Sequence, residues 1–216
     1  MVAEPTLDLE RELFASGVRL LASMDEVGRG AIAGPVTVGM VVIAADCDEA
    51  PGGVRDSKLL SPARRLALRE PIMRWALDHA VASATNHEID ELGIIGALRL
   101  AGMRCLEGLQ SRDVHPDLVL LDGSHDWLTP GTLFDDSLTA VAPPVRTQVK
   151  GDLTCASVAA ASVLAKLDRD AQMTVLDERF PAYGWAGNKG YGSSGHQQAI
   201  RDHGVSDCHR VSWNIG

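Results

Sequence analysis

Two adjacent carboxylates precede a glycine-flanked arginine near the start of the chain. The acids are Asp25 and Glu26, and the arginine lies in Gly28-Arg29-Gly30. Acids this close are costly to bury unless a divalent cation neutralises them. The glycines let the backbone approach a ligand closely, and the arginine side chain can bind a phosphate. The pattern predicts a metal-dependent site that cuts a phosphodiester. The alternative is a polar hairpin turn whose acids face water.

Two further aspartates stand where secondary-structure elements are predicted to end or begin. Asp122 follows a short apolar run, and Asp152 precedes an alanine-rich segment whose helix dipole would favour an anion. In an open α/β sheet, strand ends bring residues distant in sequence into one site. Carboxylate clusters suit Mg²⁺ or Mn²⁺, and two such ions about 3.5–4 Å apart can activate a water and stabilise the leaving oxygen. Asp25, Glu26, Asp122 and Asp152 are therefore the candidate catalytic and metal-binding acids.

The first acid pair imposes a condition on its strand. Neighbouring side chains of a regular strand point to opposite faces, so Asp25 and Glu26 can share a metal site only where the strand ends or distorts. A strand is predicted over residues 20–24, followed by a second over residues 36–45. Further strands are predicted at 80–86, 118–121 and 145–149, and helices at 7–15, 62–79, 89–109, 154–171, 171–178 and 195–203.

The order of these elements predicts one α/β domain with a mixed sheet over residues 1–216. Residues 1–18 are expected to form a helical N-terminal extension, and residues 171–216 a helical C-terminal region. Residues 124–144 are predicted to be an irregular excursion, and residues 180–195 a glycine-rich loop.

The composition is that of a soluble globular protein, with 45% hydrophobic and 23% charged residues. A net charge of −9 argues against binding nucleic acid by bulk electrostatics alone, although a basic track can occupy one face. The alternative for each track member is an ordinary solvated charge. Candidate members are Arg64, Arg65, Arg69, Lys150, Lys166 and Lys189.

The chain also carries signals about its compartment. No apolar run reaches membrane-spanning length, and the N-terminus lacks the features of a signal peptide. The four cysteines are scattered without a C-x-x-C pair, which is typical of reduced thiols in the cytoplasm. A cytoplasmic protein that binds no membrane and acts as a monomer is expected.

Seven motifs together resemble bacterial ribonuclease HII, the type 2 ribonuclease H. They run in the family's order from about residue 19 to 213. The motifs are Asp25-Glu26-Val27-Gly28-Arg29-Gly30, Asp56-Ser57-Lys58-Leu59-Leu60-Ser61, Leu121-Asp122-Gly123, Lys150-Gly151-Asp152, Ala159-Ala160-Ala161-Ser162-Val163-Leu164-Ala165-Lys166, Tyr183-Gly184 and Lys189-Gly190-Tyr191-Gly192.

The resemblance implies a ribonuclease H-like fold, with a central mixed sheet flanked by helices. It also implies hydrolysis of the RNA strand of RNA–DNA hybrids by two Mg²⁺ or Mn²⁺ ions. Single ribonucleotides embedded in duplex DNA would be cut on their 5′ side, leaving a 3′-hydroxyl and a 5′-phosphate, as ribonucleotide excision repair requires. The partners implied are RNA–DNA hybrid and ribonucleotide-containing duplex DNA.

The resemblance further implies roles for single residues. The four acids match the family's metal ligands, and Gly28, Arg29 and Gly30 match the tripeptide that reads the ribose 2′-hydroxyl. Tyr191 matches the tyrosine that packs on the neighbouring deoxyribose, although a loop aromatic capping the core is the alternative. Lys58 is a further substrate-binding candidate. Arg210 has two open roles, a phosphate contact or a structural one.

Other functions remain open at this stage. A ribonuclease HIII-like enzyme normally carries an extra N-terminal substrate-binding domain, and only about twenty residues precede the first motif. A non-catalytic hybrid-binding protein would not need acids at all four positions. A metal-independent hydrolase lacks support, because no G-x-S-x-G elbow and no paired Cys and His motif occur. His196 and His203 are expected to pack or face solvent, and not to act as ligands.

Overall fold

A computed structural model describes residues 4–129 and 142–215. The strands of this part are β1 (Leu20–Val27), β2 (Val36–Ala44), β3 (Asp78–Ala84), β4 (Leu118–Asp122) and β5 (Val145–Gln148). They form one sheet in the order β3-β2-β1-β4-β5. β1, β2 and β3 pair antiparallel, whereas β4 runs parallel to β1 and β5 parallel to β4. The mixed sheet predicted from the sequence is confirmed.

Helices flank the sheet and form the C-terminal region, as predicted. They are α1 (Asp8–Ala15), α2 (Pro62–Trp75), α3 (Asn86–Gln110), α4 (Gly151–Thr154), α5 (Ala156–Arg179), α6 (Trp185–Asn188) and α7 (Ser194–His203). Side-chain caps fix two of the starts. The Ser61 hydroxyl accepts from the Arg64 backbone N–H before α2, and Thr85 and Glu88 form a reciprocal capping box before α3.

Two helices cover the two faces of the sheet. α5 packs on one face, where its alanines let the helix approach β2 closely. A Cβ atom at Gly39 would lie 2.3 Å from the Ala161 carbonyl oxygen, so only glycine fits at this crossing. α3 packs on the opposite face against Met24 and Met40, together with the buried Trp127. The central strand β1 is therefore enclosed on both sides, and charged groups on it are desolvated.

The strand that carries the first acids is longer than predicted. β1 continues past Met24 to Val27, with Asp25 paired to Gly39 and Glu26 to Val38 of β2. The prediction that the strand ends before these acids is wrong, because β2 extends the ladder beside them. Their side chains consequently leave opposite faces of a regular strand.

Helix boundaries also differ from the predictions in two places. Residues 156–179 form the single helix α5, so the predicted division at Ala171 is wrong; no glycine or proline interrupts this stretch, and the helix ends before Pro181. α2 ends at Trp75 instead of His79, because Ala76 is extended and the chain turns into β3 at Asp78.

Two further predictions concern membrane-spanning helices and the irregular segment 124–144. Within residues 4–129 and 142–215, each helix is too short or too polar to cross a bilayer. Of the predicted irregular segment 124–144, residues 130–141 lie outside the described residues.

Candidate active site

The four predicted acids come together where β1 and β4 end. The parallel pairing of Met24 with Leu121 places Asp25 and Asp122 on neighbouring strands at the same level. The turn into α4 then brings Asp152 beside them, since its backbone N–H donates to Asp122 Oδ1 over 3.3 Å. Gly151 makes this approach possible, because a Cβ atom there would lie 3.2 Å from the same oxygen.

Asp25 is the most deeply buried of these acids, with 3% of its surface exposed. Its Oδ1 accepts from the Glu26 backbone N–H at 2.8 Å, whereas Oδ2 has no hydrogen-bond partner. Burial is the main reason that the pKa of Asp25 is raised to about 8; the nearby Ser162 hydroxyl opposes this rise, and the charges of Asp122 and Glu26 contribute to it. An isolated carboxylate here is poorly stabilised at neutral pH.

Glu26 leaves the opposite face of β1 and remains within the field of Asp122. Burial raises its pKa, and the Arg29 guanidinium, 3.3 Å from Oε1, opposes this shift. Its Oε2 is buried without a partner. Because β4 is shorter than β1 and ends beside both acids, the Asp122 charge also raises the pKa of Asp25 and of Glu26. The Asp122 charge at the end of β4 therefore acts on both acids, although their side chains leave opposite faces of β1.

Lys58 stands at the rim of this acid group. Its ammonium lies 3.5 Å from Asp152 Oδ2 and 3.9 Å from Asp56 Oδ1, and its side chain is largely exposed. Asp56 orders the segment by accepting the Lys58 backbone N–H. Burial raises the pKa of Asp152, and the Lys58 charge opposes that shift. Lys58 is thus placed to neutralise an acid while most of its side chain remains exposed.

The donor set fits divalent cations with oxygen ligands. Among the described residues, no three Asp, Glu, His or Cys side chains already enclose a position for a metal ion. The acids instead turn to local partners, as Glu26 does to Arg29 and Asp152 to Lys58. The unpartnered oxygens of Asp25 and Glu26 are nevertheless buried carboxylate atoms, which a hard cation would satisfy.

The glycine-flanked arginine forms a tight loop beside the acids. Gly28 has φ +89°, and a Cβ atom there would lie 1.9 Å from Nε of Arg169, so this glycine is sterically required. Gly30 has open space around it. The Arg29 side chain is partly exposed and reaches back to Glu26. In the described part of the chain, the backbone N–H groups of residues 28–30 donate to no backbone carbonyl, and they remain available to a ligand.

Arg210 lies beneath this loop, with none of its surface exposed. Its guanidinium donates to the carbonyl oxygens of Gly28 at 2.8 Å and Arg29 at 3.0 Å. It also donates to those of Gly34 and Pro35, each at 3.0 Å. Burial, and then the neighbouring Arg169 charge, lower the pKa of Arg210 to about 9, so it stays charged at neutral pH. Of its two open roles, the structural one agrees with this position, because no donor faces solvent.

Tyr191 lies on a second loop that is joined to the first. The Gly190 carbonyl accepts the backbone N–H groups of Ile32 and Ala33, at 2.9 and 3.2 Å. The Tyr191 ring is 40% exposed and packs on the Arg169 guanidinium, whose Cζ is 5.7 Å from the ring centroid. Its carbonyl accepts from His196 Nδ1 at 2.9 Å. The ring is therefore presented next to the glycine loop and is not a cap on the core.

The other predicted positions divide into surface and interior. His196 is buried, bonds to Trp185 and His209, and packs as expected, whereas His203 is exposed. Two members of the predicted basic track are not surface charges: Arg65 is buried against the Ser57 and Leu60 carbonyls, and Lys166 pairs with Asp170 at 2.6 Å. Arg64, Arg69 and Lys150 are exposed, and Lys189 is partly so.

Sequence analysis missed the contribution of Arg169. Its three nitrogens donate to the carbonyl oxygens of Ala33, Pro35 and Lys189, and none of its surface is exposed. A signal was present, since Arg169 lies four residues after the buried Ala165 and four before the buried Met173. A charged residue on the buried stripe of a helix needs internal partners.

Comparisons with known proteins agree with this geometry. The family model described as Ribonuclease HII matches residues 22–215. A Streptomyces avermitilis ribonuclease HII is 44% identical over 210 residues, covering 97% of this chain and 83% of the relative. The solved Pyrococcus horikoshii ribonuclease H2 has a TM-score of 0.67 at 25% identity, covering 91% of this chain and 94% of the other. A Bst-RNase HIII in complex with Mn²⁺ is 20% identical with a TM-score of 0.65, covering 91% and 68% respectively, and shares the fold.

The chain belongs to the ribonuclease HII family and is a type 2 ribonuclease H, an endonuclease with a ribonuclease H-like fold. The ribonuclease HIII-like alternative loses its support, since the family model and the curated relatives are ribonucleases HII.

Proposed function

We propose that this endonuclease hydrolyses the RNA strand of RNA–DNA hybrids and cuts on the 5′ side of single ribonucleotides embedded in duplex DNA. The products would carry a 3′-hydroxyl and a 5′-phosphate, and the reaction would serve ribonucleotide removal from DNA. The single observation that carries the proposal is the acid group at the ends of β1 and β4 lying beside a loop with free backbone N–H groups. One sheet carries both, so we treat residues 1–216 as one catalytic domain.

The acids are assigned as ligands of two divalent cations, Mg²⁺ or Mn²⁺. When bound, such ions supply Lewis-acid stabilisation for the attacking and leaving oxygens of a phosphodiester. Asp25 and Glu26 each contribute a buried oxygen that lacks a partner, and the charge of Asp122 acts on both of them. Asp152 completes the set and is held near Asp122 by its own backbone N–H. Lys58 balances the charge of Asp152 at the rim.

The glycine loop is assigned as the reader of the ribose. Arg210 binds the carbonyls of Gly28 and Arg29, which directs the N–H groups of Arg29 and Gly30 away from it and towards a ligand. The 2′-hydroxyl distinguishes RNA from DNA and can accept such a hydrogen bond whatever the base. Tyr191, exposed on the adjoining loop, would pack on the neighbouring deoxyribose, where an extra hydroxyl would clash.

The decisive experiment is digestion of a DNA duplex that contains one ribonucleotide, labelled in turn at each end of the cut strand. We expect one product pair, mapped to the 5′ side of the ribonucleotide, with Mg²⁺ or Mn²⁺ present. The matched all-DNA duplex should remain intact, and a continuous RNA–DNA hybrid should be cut at many positions.

Three results would contradict the proposal in different ways. Cleavage in excess chelator would remove the metal assignment. Binding without cleavage under any metal would favour a non-catalytic hybrid-binding protein. Cleavage of the hybrid alone would restrict the activity to continuous RNA.

A further inference from the structure

Two arginines are buried beneath the loops assigned to substrate reading, and both bind backbone carbonyl oxygens. Arg169 and Arg210 are both fully buried. Within the residues that the structure describes, neither guanidinium forms an ion pair with a carboxylate. Removing a charged group from water is costly unless polar partners replace the solvent. Here backbone carbonyl oxygens replace the solvent around the two guanidinium groups. The two arginines therefore order the backbone that carries those carbonyls.

Arg169 touches both loops at once. Its Nε donates to the Pro35 carbonyl at 2.8 Å, while Nη1 donates to the Lys189 carbonyl at 2.9 Å. Its guanidinium also lies beneath the Tyr191 ring, and its Nε fills the space that a side chain at Gly28 would need. A single planar group therefore contacts the glycine loop, the segment after it and the tyrosine loop.

Arg210 acts on the same glycine loop from the C-terminal side. It binds the carbonyls of Gly28 and Arg29, and its guanidinium stacks on Trp213 at 5.0 Å from the ring centroid. In a trans peptide unit the carbonyl and the N–H of the next residue point in opposite directions, so the inward carbonyls of Gly28 and Arg29 direct the N–H groups of Arg29 and Gly30 outward. The guanidinium fork is rigid and planar, so it fixes the direction of the carbonyls that it binds.

We propose that Arg169 and Arg210 are positioning residues for ribose recognition, which hold the 28–35 loop and the 189–193 loop in one fixed relation. Neither touches substrate. Arg210 turns the Gly28 and Arg29 carbonyls inward, and Arg169 sets the distance between those peptides and the Tyr191 ring. The inference rests on the proposed function, because it gives these loops the task of reading ribose and deoxyribose together.

The test compares Arg169→Gln and Arg169→Lys with wild type. In the proposed role, Arg169→Gln raises KM for the single-ribonucleotide duplex by about 10- to 100-fold, with a smaller change in kcat, because a remote misplacement weakens binding geometry while the acids stay in place. Arg169→Lys keeps the charge but loses the fork, so we expect the same direction of change.

Amide hydrogen exchange of the free protein supplies a readout that does not depend on activity. The hydrogen-bonded amides of both loops should exchange faster in the Arg169 variants, while β1 and β4 keep wild-type protection. These amides are those of Ala31, Ile32, Ala33, Gly34, Tyr191 and Ser193. Arg104→Gln is the matched control, since Arg104 also binds a backbone carbonyl, that of Ser83, at the far edge of the sheet. It should lower Tm without changing KM or loop exchange.

The possible results distinguish the positioning role of Arg169 from the proposed function of the enzyme. If wild type cuts the ribonucleotide substrates but the Arg169 variants show unchanged KM and loop exchange, the positioning role is wrong and the proposed function stands. If wild type cuts none of them, the proposed function is wrong, and unchanged exchange would also remove the positioning role. A uniform rise in exchange across the sheet would assign Arg169 to general stability.

Discussion

The acid group and the two loops beside it satisfy their polar atoms in opposite ways. Around the acids, Asp25 Oδ2 and Glu26 Oε2 are buried with no partner, and the charge of Asp122 raises the pKa of both residues. Beneath the loops, Arg169 and Arg210 together bind six different backbone carbonyls, those of Gly28, Arg29, Ala33, Gly34, Pro35 and Lys189. Carboxylate oxygens therefore lack hydrogen-bond partners in the first region, whereas the guanidinium groups of the second region are bound by backbone carbonyls.

The difference indicates what each region needs from outside the chain. An acid group with unpaired buried oxygens gains stability from a cation, so its geometry depends on a ligand. Loops with satisfied carbonyls and free N–H groups are already organised for a substrate and need no ligand to keep their shape. The site therefore combines a metal-dependent half with a preorganised half, and perturbations of the two should have distinct signatures.

The largest expected effect is on the acid group itself. Asp25→Asn should lower kcat by at least about 1000-fold, equivalent to about 4 kcal/mol of transition-state stabilisation, because the amide cannot hold the cation. Substrate affinity in Ca²⁺ should be retained, since the loops are untouched. Asp122→Asn should behave alike. Single-turnover rates and filter-binding measurements distinguish the two quantities.

A matched control separates local from general loss. Asp113→Asn changes a fully exposed carboxylate and should leave kcat unchanged. Near-normal turnover of Asp25→Asn at saturating Mg²⁺ would contradict the assignment of this acid.

Metal should also change the stability of the wild-type fold. At Mg²⁺ about 100 times its Kd, binding to the folded state contributes about 3 kcal/mol, which corresponds to a rise in Tm of about 5–10 °C for a chain of this size. Asp25→Asn should lose most of this rise. Thermal unfolding with Mg²⁺ and with chelator measures it, and an equal rise in both proteins would place the metal elsewhere.

A smaller effect is expected from the ring on the second loop. Tyr191→Ala should lower kcat/KM on single-ribonucleotide duplexes about tenfold more than on continuous hybrids, since only the former always presents a deoxyribose next to the cut. Tyr191→Phe keeps the ring and should preserve the wild-type ratio. The ratio cancels any general loss of folded enzyme. An equal fall on both substrates would make Tyr191 a structural loop residue.

The smallest expected effect is a loss of stability at acid pH, caused by protonation of the buried His209. Burial, and then the nearby His196, lower the pKa of His209 to about 4 from its ordinary value of 6.5. Its Nδ1 accepts from Ser206, and its Nε2 meets His196, which bonds the Tyr191 carbonyl. Unfolded chain binds the proton more readily, so the stability from this group is complete above pH 6.5 and is lost as pH falls towards 4.

The corresponding measurement is Tm between pH 7.5 and 4.5. His209→Asn should show a flatter decline than wild type, because the titrating group is gone while one acceptor remains. His203→Asn, which changes an exposed histidine on α7, should follow the wild-type curve. Parallel curves for all three proteins would contradict the role of His209.

The sequence predicted the elements that have strong local signals. The mixed sheet and its flanking helices were predicted from apolar periodicity, whereas the structure places the start of α3 at Asn86 after the Thr85 cap, where the sequence had predicted a strand over 80–86. The prediction of strand ends failed where pairing with a neighbouring strand determines how far a strand extends. β1 runs through Asp25 and Glu26 because β2 pairs with them, and no local pattern records that pairing.

The candidate site divides in the same manner. Residue types and their order marked the four acids and the glycine loop, and the resemblance to ribonuclease HII added the role of Tyr191. Only the tertiary structure showed that Arg210 is buried beneath the loop and that Arg169 joins both loops. The sequence does not show whether an arginine side chain is buried or exposed. Depth depends on which carbonyls the folded chain brings within about 3 Å of it, and that is decided by packing between segments far apart in sequence.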